Sequence, residues 1–333
     1  MRNSTIATIT DIATITEALV NGDAEGLSYE AADQIAHAEN SDLIDLFFAA
    51  HKVTQRFKKN DIFTCTIINA KSGSCSQDCA FCAQSAYHQT GITPHPLLET
   101  DAMVADAESM RRAGASRYSL VTSGLRLRNS ELDRIADTTS AIRKRTDLPV
   151  CTSLGTLTPS MARKLKKSGV TTYHHNLETA ESFFGHICTT HAYADDIETL
   201  RVAKSTGLRV CSGGILGLGE SWAQRLELAF TLRELDVDCI PINFLNPIPG
   251  TKLAHRKPLQ PWEALKSIAL VRLINPKTDI TICGGREITL KDYQSWVFFA
   301  GANGLMIGNY LTTQGRNIEA DMAMIRDMGR CRG

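Results

Sequence analysis

Short apolar runs alternate with amphipathic stretches along most of this 333-residue chain. The runs are FTCTII (63–68), RYSLVT (117–122), PVCTSL (149–154), TTYHHN (171–176), RVCSGGI (209–215), CIPINFL (239–245), ITICGG (280–285) and LMIGNY (305–310). They are rich in β-branched residues and too short for helices, so they predict eight strands. The stretches between them predict helices with marked ends. Thr158-Pro159 supplies a cap and a first-turn proline before MARKLKK, and Gly169 follows as the stop. Gly114, Gly207 and Gly301 recur in the same place, after a helix and before a strand. Eight strand–helix units over roughly 250 residues predict a parallel (β/α)8 barrel of TIM type. A doubly wound open sheet has the same alternation and stays open as the second architecture.

Ahead of the first strand, residues 41–58 (SDLIDLFFAAHKVTQRFK) begin with a Ser or Asp cap. They place Leu43, Leu46, Phe47, Ala50, Val53 and Phe57 on one helical face. An N-terminal helical extension is therefore expected over 1–60, the barrel over 61–315, and a C-terminal tail packed on the barrel over 316–333. Composition adds exclusions. Hydrophobic content of 43% and charged content of 22% rule out a disordered or collagenous chain. Equal acidic and basic counts leave no global footprint for nucleic acid or an anionic membrane, so neither is expected as a partner. The longest apolar segment, Trp296–Leu311, is broken by glycines and asparagines. Met1–Ala18 is polar and threonine-rich, unlike a secretory signal, which predicts a cytoplasmic, reducing setting.

In that setting clustered cysteines bind metal or do chemistry more often than they form disulfides. The chain has ten cysteines. Cys75, Cys79 and Cys82 form a Cys-x3-Cys-x2-Cys run (SGSCSQDCAFCAQS) directly after the first predicted strand. Three thiolates on one loop suit a cubane iron–sulfur cluster whose fourth iron is open to a small molecule. A zinc or electron-transfer site with a more distant fourth cysteine is the competing reading.

With Phe81 just before its last cysteine, the triplet resembles that of the radical S-adenosylmethionine enzymes. NAKSGSCSQDCAFCAQSA, TSLGTL, YHHNLET, VCSGGILGLGE, PINFLNPIPGT, GGRE and GANGLMIGNYLTT follow the order and spacing of the biotin synthase family. The resemblance runs from about residue 40 to about residue 329. It implies a 4Fe-4S cluster on Cys75, Cys79 and Cys82, with S-adenosylmethionine on the open iron. It also implies radical sulfur insertion into dethiobiotin, an auxiliary iron–sulfur cluster deep in the barrel as sulfur donor, a flavodoxin or ferredoxin reductant, and a homodimer.

Cys65, Cys151, Cys211 and Cys283 each sit mid-strand, on the first, third, fifth and seventh predicted strands. Alternate strands of a (β/α)8 barrel fill one interior layer, so the four thiols are expected to converge on its axis. The family's usual auxiliary cluster is 2Fe-2S, with three strand cysteines and an arginine, which match Ser119, Cys151, Cys211 and Arg286 here. Serine at 119 departs from that pattern. The expectation is an exchanged set, Cys65, Cys151, Cys211 and Cys283, holding a larger cluster. Arg286 is left as an alternative ligand or a carboxylate-pairing residue. Buried cysteine as plain apolar filler is the opposing reading. Cys188, Cys239 and Cys331 are expected to have no role.

By the same resemblance Phe81, Asn176, Glu178, Gly213 and Gly214 border S-adenosylmethionine, while His174, Asn176, Asn243, Thr312 and Thr313 contact dethiobiotin. His174 and Glu178 replace the family's asparagine and aspartate. Asp196 stands where the family commonly has an arginine for the methionyl carboxylate, and Arg201, about 1.4 turns further along the same predicted helix, is expected to take over. Another radical enzyme of this barrel type and a non-enzymatic iron–sulfur carrier are the alternatives. The first generally lacks strand cysteines, and the second needs neither a barrel nor an open iron.

Overall fold

A computed structural model describes residues 12–38, 43–59 and 62–329. The expected cap at Ser41 or Asp42, residues 1–11 and Cys331 lie outside the described residues. Three helices, α1 (Ile12–Asn21), α2 (Tyr29–His37) and α3 (Leu43–Lys58), precede the sheet. The strands are β1 (Phe63–Lys71), β2 (Arg117–Thr122), β3 (Val150–Ser153), β4 (Val170–His174), β5 (Arg209–Cys211), β6 (Gly214–Leu216), β7 (Cys239–Phe244), β8 (Asp279–Ile282) and β9 (Gly304–Met306).

All nine pair in parallel in the order β5-β4-β3-β2-β1-β9-β8-β7-β6, and a further β5–β7 pairing closes the circle. That closure excludes the doubly wound sheet. Both β5 and β6 bond to β7, so they are one stave interrupted at Ser212–Gly213, and eight staves result. The interruption has a local cause. A Cβ on Gly213 would lie 2.0 Å from the Pro241 carbonyl oxygen, so only glycine lets the two staves approach this closely.

Helix ends follow the sequence signals. Thr158 Oγ1 accepts from Met161 N at 3.3 Å, Pro159 occupies the first turn, and Gly169 stops the helix in the left-handed region at φ 100°. The extension lies outside the barrel against the helix Pro261–Ile274. There the Phe47 and Trp262 rings stack at 5.9 Å, and Lys266 Nζ donates to the Ala36 and Ala38 carbonyls at 2.8 Å each. At the other end of the chain, helix Ile318–Asp327 sends the fully buried Asp321 into the barrel wall.

Residues at alternate positions face the axis, and pairing register shows which share a level. Cys65 is level with Arg117, Ser119 with Cys151, Cys211 with both His174 and Cys239, and Cys239 with Asp279. Cysteines therefore fill the middle of the barrel. The first residues of the strands ring its lower mouth, and the loops after the strands form its upper one.

Candidate functional site

The triplet occupies the loop after β1. Gly73 and Ser74 turn the chain with positive φ, and the loop closes on itself through Cys75 N to the Gln84 carbonyl (3.0 Å) and Ala86 N to the Cys75 carbonyl (2.8 Å). Asp78 ties it to the segment after β4, accepting from Thr189 N (2.8 Å) and Thr189 Oγ1 (2.7 Å). Cys75, Cys79 and Cys82 are half-buried. Burial pushes the Cys82 thiol up to about 11, with the Cys75 and Glu178 charges adding to it. The Cys79 thiol is raised as well, so these two are held protonated until a cation is present to stabilise their anions.

Above the cysteine layer lies a cavity of about 420 Å³. Cys75, Cys79 and Phe81 line one side, His174, Asn176, Glu178 and Asn243 the wall, Thr312 and Thr313 the rim, and Cys283 the floor. Asn243 is fixed from both ends, donating to the Gly214 carbonyl at 3.3 Å and accepting from Gly284 N at 3.0 Å. Asn69 Nδ2 anchors the rim loop through the Leu311 carbonyl at 2.7 Å. Burial holds His174 neutral, down to about 4, with Nδ1 3.3 Å from Ser119 Oγ. Burial, then the Asp196 charge, raises Glu178 to about 8, so its carboxyl is protonated at neutral pH.

Gly213 and Gly214 do not line this cavity. Their backbone instead fixes Glu178, whose N–H reaches the Gly213 carbonyl at 3.2 Å and whose carbonyl accepts from Ile215 N at 2.8 Å. Glu178 itself has φ 63°, and a Cβ on Gly214 would meet its carbonyl oxygen at 2.4 Å. The glycines allow a close backbone approach, but to the chain itself.

Arg201 does not take over from the missing arginine. It is exposed on the helix Tyr193–Ser205, whereas Asp196 is buried. Five residues turn a helix through about 500°, which leaves the two side chains about 140° apart. Asp196 is instead enclosed by two imidazoles, accepting from His175 Nε2 at 2.7 Å and His191 Nε2 at 3.3 Å. The hydrogen bond to Asp196 raises His191 above the usual histidine range. His191 lines the cavity and reaches Gln77 Oε1 at 2.9 Å. The chain thus places beside the triplet loop an imidazole whose protonation Asp196 favours, rather than a guanidinium. Cys188, expected to be idle, is also there, with Sγ 3.8 Å from Cys79 Sγ and 3.2 Å from His191 Nδ1.

Cys65, Cys151, Cys211 and Cys283 are all buried on the axis. Cys65 Sγ lies 3.7 Å from Thr281 Oγ1, Cys283 Sγ donates to the Thr281 carbonyl at 3.8 Å, and Cys211 packs on Cys239. Cys239 corrects another expectation. It opens β7, whose inward positions are 239, 241 and 243, and the break at Ser212–Gly213 lets β5 bond directly to β7, so its thiol meets that of Cys211. Arg286 faces elsewhere. Its guanidinium donates to Asp321 and to Gln294, beneath the C-terminal helix. The arginine whose charge reaches the barrel thiols is Arg117, which favours the anions of Cys65 and Cys151. Neither Arg117 nor Cys239 stood out in the sequence. Their inward alternation on β2 and β7 was the available signal.

Among the described residues no three histidine, cysteine, aspartate or glutamate side chains converge as for a single metal ion. The thiols are spread more widely, a donor set that fits a multi-iron cluster at each level.

Residues 71–232 match the Radical SAM superfamily, and residues 241–330 match the Biotin and Thiamin Synthesis associated domain. Solved structures of methylornithine synthase (TM-score 0.84, 18% identity, covering 96% of this chain and 97% of that one) and of a maturase of the FeFe-hydrogenase (TM-score 0.81, 17% identity, 98% and 77%) share the fold. Biotin synthase of Syntrophus aciditrophicus is 56% identical over 302 residues, 91% of this chain and 93% of its own length. Biotin synthase of Geobacter metallireducens is 53% identical over 305 residues, 91% and 93%. With the triplet, the barrel and both matched regions in place, the chain belongs to the biotin synthase family of radical S-adenosylmethionine enzymes.

Proposed function

We propose that this chain inserts sulfur into dethiobiotin, and that the barrel cysteines hold the auxiliary cluster that supplies the sulfur. One observation carries the reading: a single cavity is lined by Cys75 and Cys79 at one side and by Cys283 at its floor. A substrate lying there has a radical source above it and a sulfur source beneath.

Cys75, Cys79 and Cys82 would hold the 4Fe-4S cluster and Cys65, Cys151, Cys211 and Cys283 the auxiliary one, larger than 2Fe-2S. Cys239 is a fifth thiol at the same level. When bound, the upper cluster supplies electrons that cleave S-adenosylmethionine to a radical able to take hydrogen from unactivated carbon. The chain's residues do the rest. Neutral His174 keeps an N–H free for a ureido carbonyl, and Asn243 is held rigid to do the same. Thr312 and Thr313 present donors to a carboxylate at the rim. Asn176 and protonated Glu178 face the ribose hydroxyls. Closure by apolar Phe81 and the stave loops keeps water from quenching the radical. A flavodoxin or ferredoxin reductant, a homodimer and a cytoplasmic setting belong to the same reading.

Anaerobic reconstitution followed by an assay for 5′-deoxyadenosine, with and without dethiobiotin, tests the activity. Deoxyadenosine release that dethiobiotin does not stimulate would refute it. Iron and sulfide counts on Cys65→Ser and Cys283→Ser proteins test the ligand set; full auxiliary content in both would exclude those two cysteines.

A further inference from the structure

A second, larger cavity opens at the opposite end of the barrel. Its volume is about 630 Å³, and Phe63, Arg117, Arg209, Asp279 and Asn303, from the starts of the staves, line it together with Lys58 from α3. It shares no residue with the substrate cavity. Lys58, Lys59, Arg117 and Arg209 set four cations around it, against the single carboxylate of Asp279 among its described lining residues. Asp279 cannot neutralise them all, even with Asp238, just outside the lining, paired to Arg209 at 3.3 Å. The Asp279 oxygens lie 3.0 Å from Lys58, 3.3 Å from Arg117 and 3.6 Å from Arg209.

The inner wall of this mouth is also the outer wall of the cysteine layer. Arg117 stacks over the Phe63 ring at 3.9 Å, and Phe63 packs directly on Cys211 and Cys239. A small anion drawn into the mouth therefore meets this stacked pair, and behind it two thiols.

We propose that the lower mouth is an entry port through which a small sulfur-bearing anion, hydrosulfide, reaches the cysteine layer to replace sulfur lost to product. The replacement is a ligand substitution. Bonds from iron form to the incoming sulfur where those to the departed sulfur broke, the proton of hydrosulfide leaves to solvent, and no electron moves. Entry from below leaves the upper cavity to substrate and S-adenosylmethionine, so refilling does not compete with binding. The role of the port rests on the auxiliary-cluster reading above; its preference for anions does not.

Two measurements on full-length Lys58→Gln/Arg209→Gln protein test this. In reconstituted protein taken through one turnover, radiolabelled hydrosulfide uptake into acid-labile sulfide is expected to slow ~10-fold at low ionic strength. The difference from wild type should vanish in high salt. In protein stripped of the auxiliary cluster, iodoacetate labelling of Cys211 and Cys239 is expected to slow to a similar degree, with uncharged iodoacetamide unaffected. Arg209→Lys alone, which keeps the charge, should behave as wild type in both and exclude a folding defect. Unchanged iodoacetate labelling would overturn the port. Slowed iodoacetate labelling with unchanged hydrosulfide uptake would overturn its role in sulfur supply. Iron and sulfide counts that show only the triplet cluster would instead refute the auxiliary-cluster reading, with iodoacetate still reporting on the port.

Discussion

Asp196 accepts from His191 across 3.3 Å, and its other oxygen is occupied by His175, so a buried carboxylate holds the His191 ring against the triplet loop and favours its protonation. All three residues line the upper cavity, which Arg201 does not reach. His191→Gln is expected to weaken S-adenosylmethionine binding about tenfold, or ~1.4 kcal/mol, whereas Arg201→Ala leaves it unchanged. Affinity should fall as pH rises through the raised His191 value, and Asp196→Asn should move that fall to lower pH. Asp195 and Cys188 also favour the imidazolium, so Asp196→Asn alone will not return it fully. Equilibrium dialysis under anaerobic conditions over pH 6–9 reads both; equal affinity in His191→Gln would sink the assignment.

Glu178 makes a prediction of opposite sign. Its carboxyl has a folded value of about 8 against the ordinary 4.5, so between those pH values the folded state binds the proton and the unfolded state does not. Stability is therefore lost as pH rises from 4.5 towards 8. Glu178→Gln mimics the protonated form and should stabilise the protein by ~1–3 kcal/mol at pH 7, with no gain below pH 4.5. Urea unfolding at pH 4 and pH 7 separates the two; a gain equal at both would refute the burial argument.

Cys188 stands 3.8 Å from a proposed cluster ligand, sulfur to sulfur. The hydrogen bond from Cys79 is the main reason its thiol is lowered to about 6, so it is thiolate at neutral pH when no iron is present. Air oxidation of cluster-free protein should then join Cys79 to Cys188 as a disulfide, visible by peptide mass mapping. Cys188→Ser should resist that damage and recover more iron on reconstitution after exposure to air. Pairing of Cys79 with Cys75 or Cys82 instead would count against it.

Arg286 and Asp321 are both inaccessible and bonded to each other. Removing Asp321 leaves the buried Arg286 charge with only Gln294 and, at 3.7 Å, Glu287, so Asp321→Ala should cost ~3–5 kcal/mol. At permissive temperature its iron and sulfide content should match wild type, as should that of Arg286→Met. A loss of auxiliary iron in Arg286→Met would return this arginine to the ligand set.

Much of the barrel was legible because its signals are local. Eight apolar runs, Thr158-Pro159 and Gly169 each specify their element without help from distant residues. The triplet was legible for the same reason, since its three cysteines lie within one loop. The cysteine layer needed only strand alternation to place Cys65, Cys151, Cys211 and Cys283. What escaped depends on register and rotation. Cys239 meets Cys211 only because one stave is broken at Ser212–Gly213. Arg201 fails by 140° of helical turn. His175 and His191, sixteen positions apart, become partners only through Asp196.

Through Lys58, Arg117, Arg209 and Asn303, Asp279 fastens α3 and four separate staves into one knot at the base of the barrel. None of these ties involves a cysteine. A keystone built without sulfur leaves the bracing of the scaffold independent of whatever the cysteine layer above it holds.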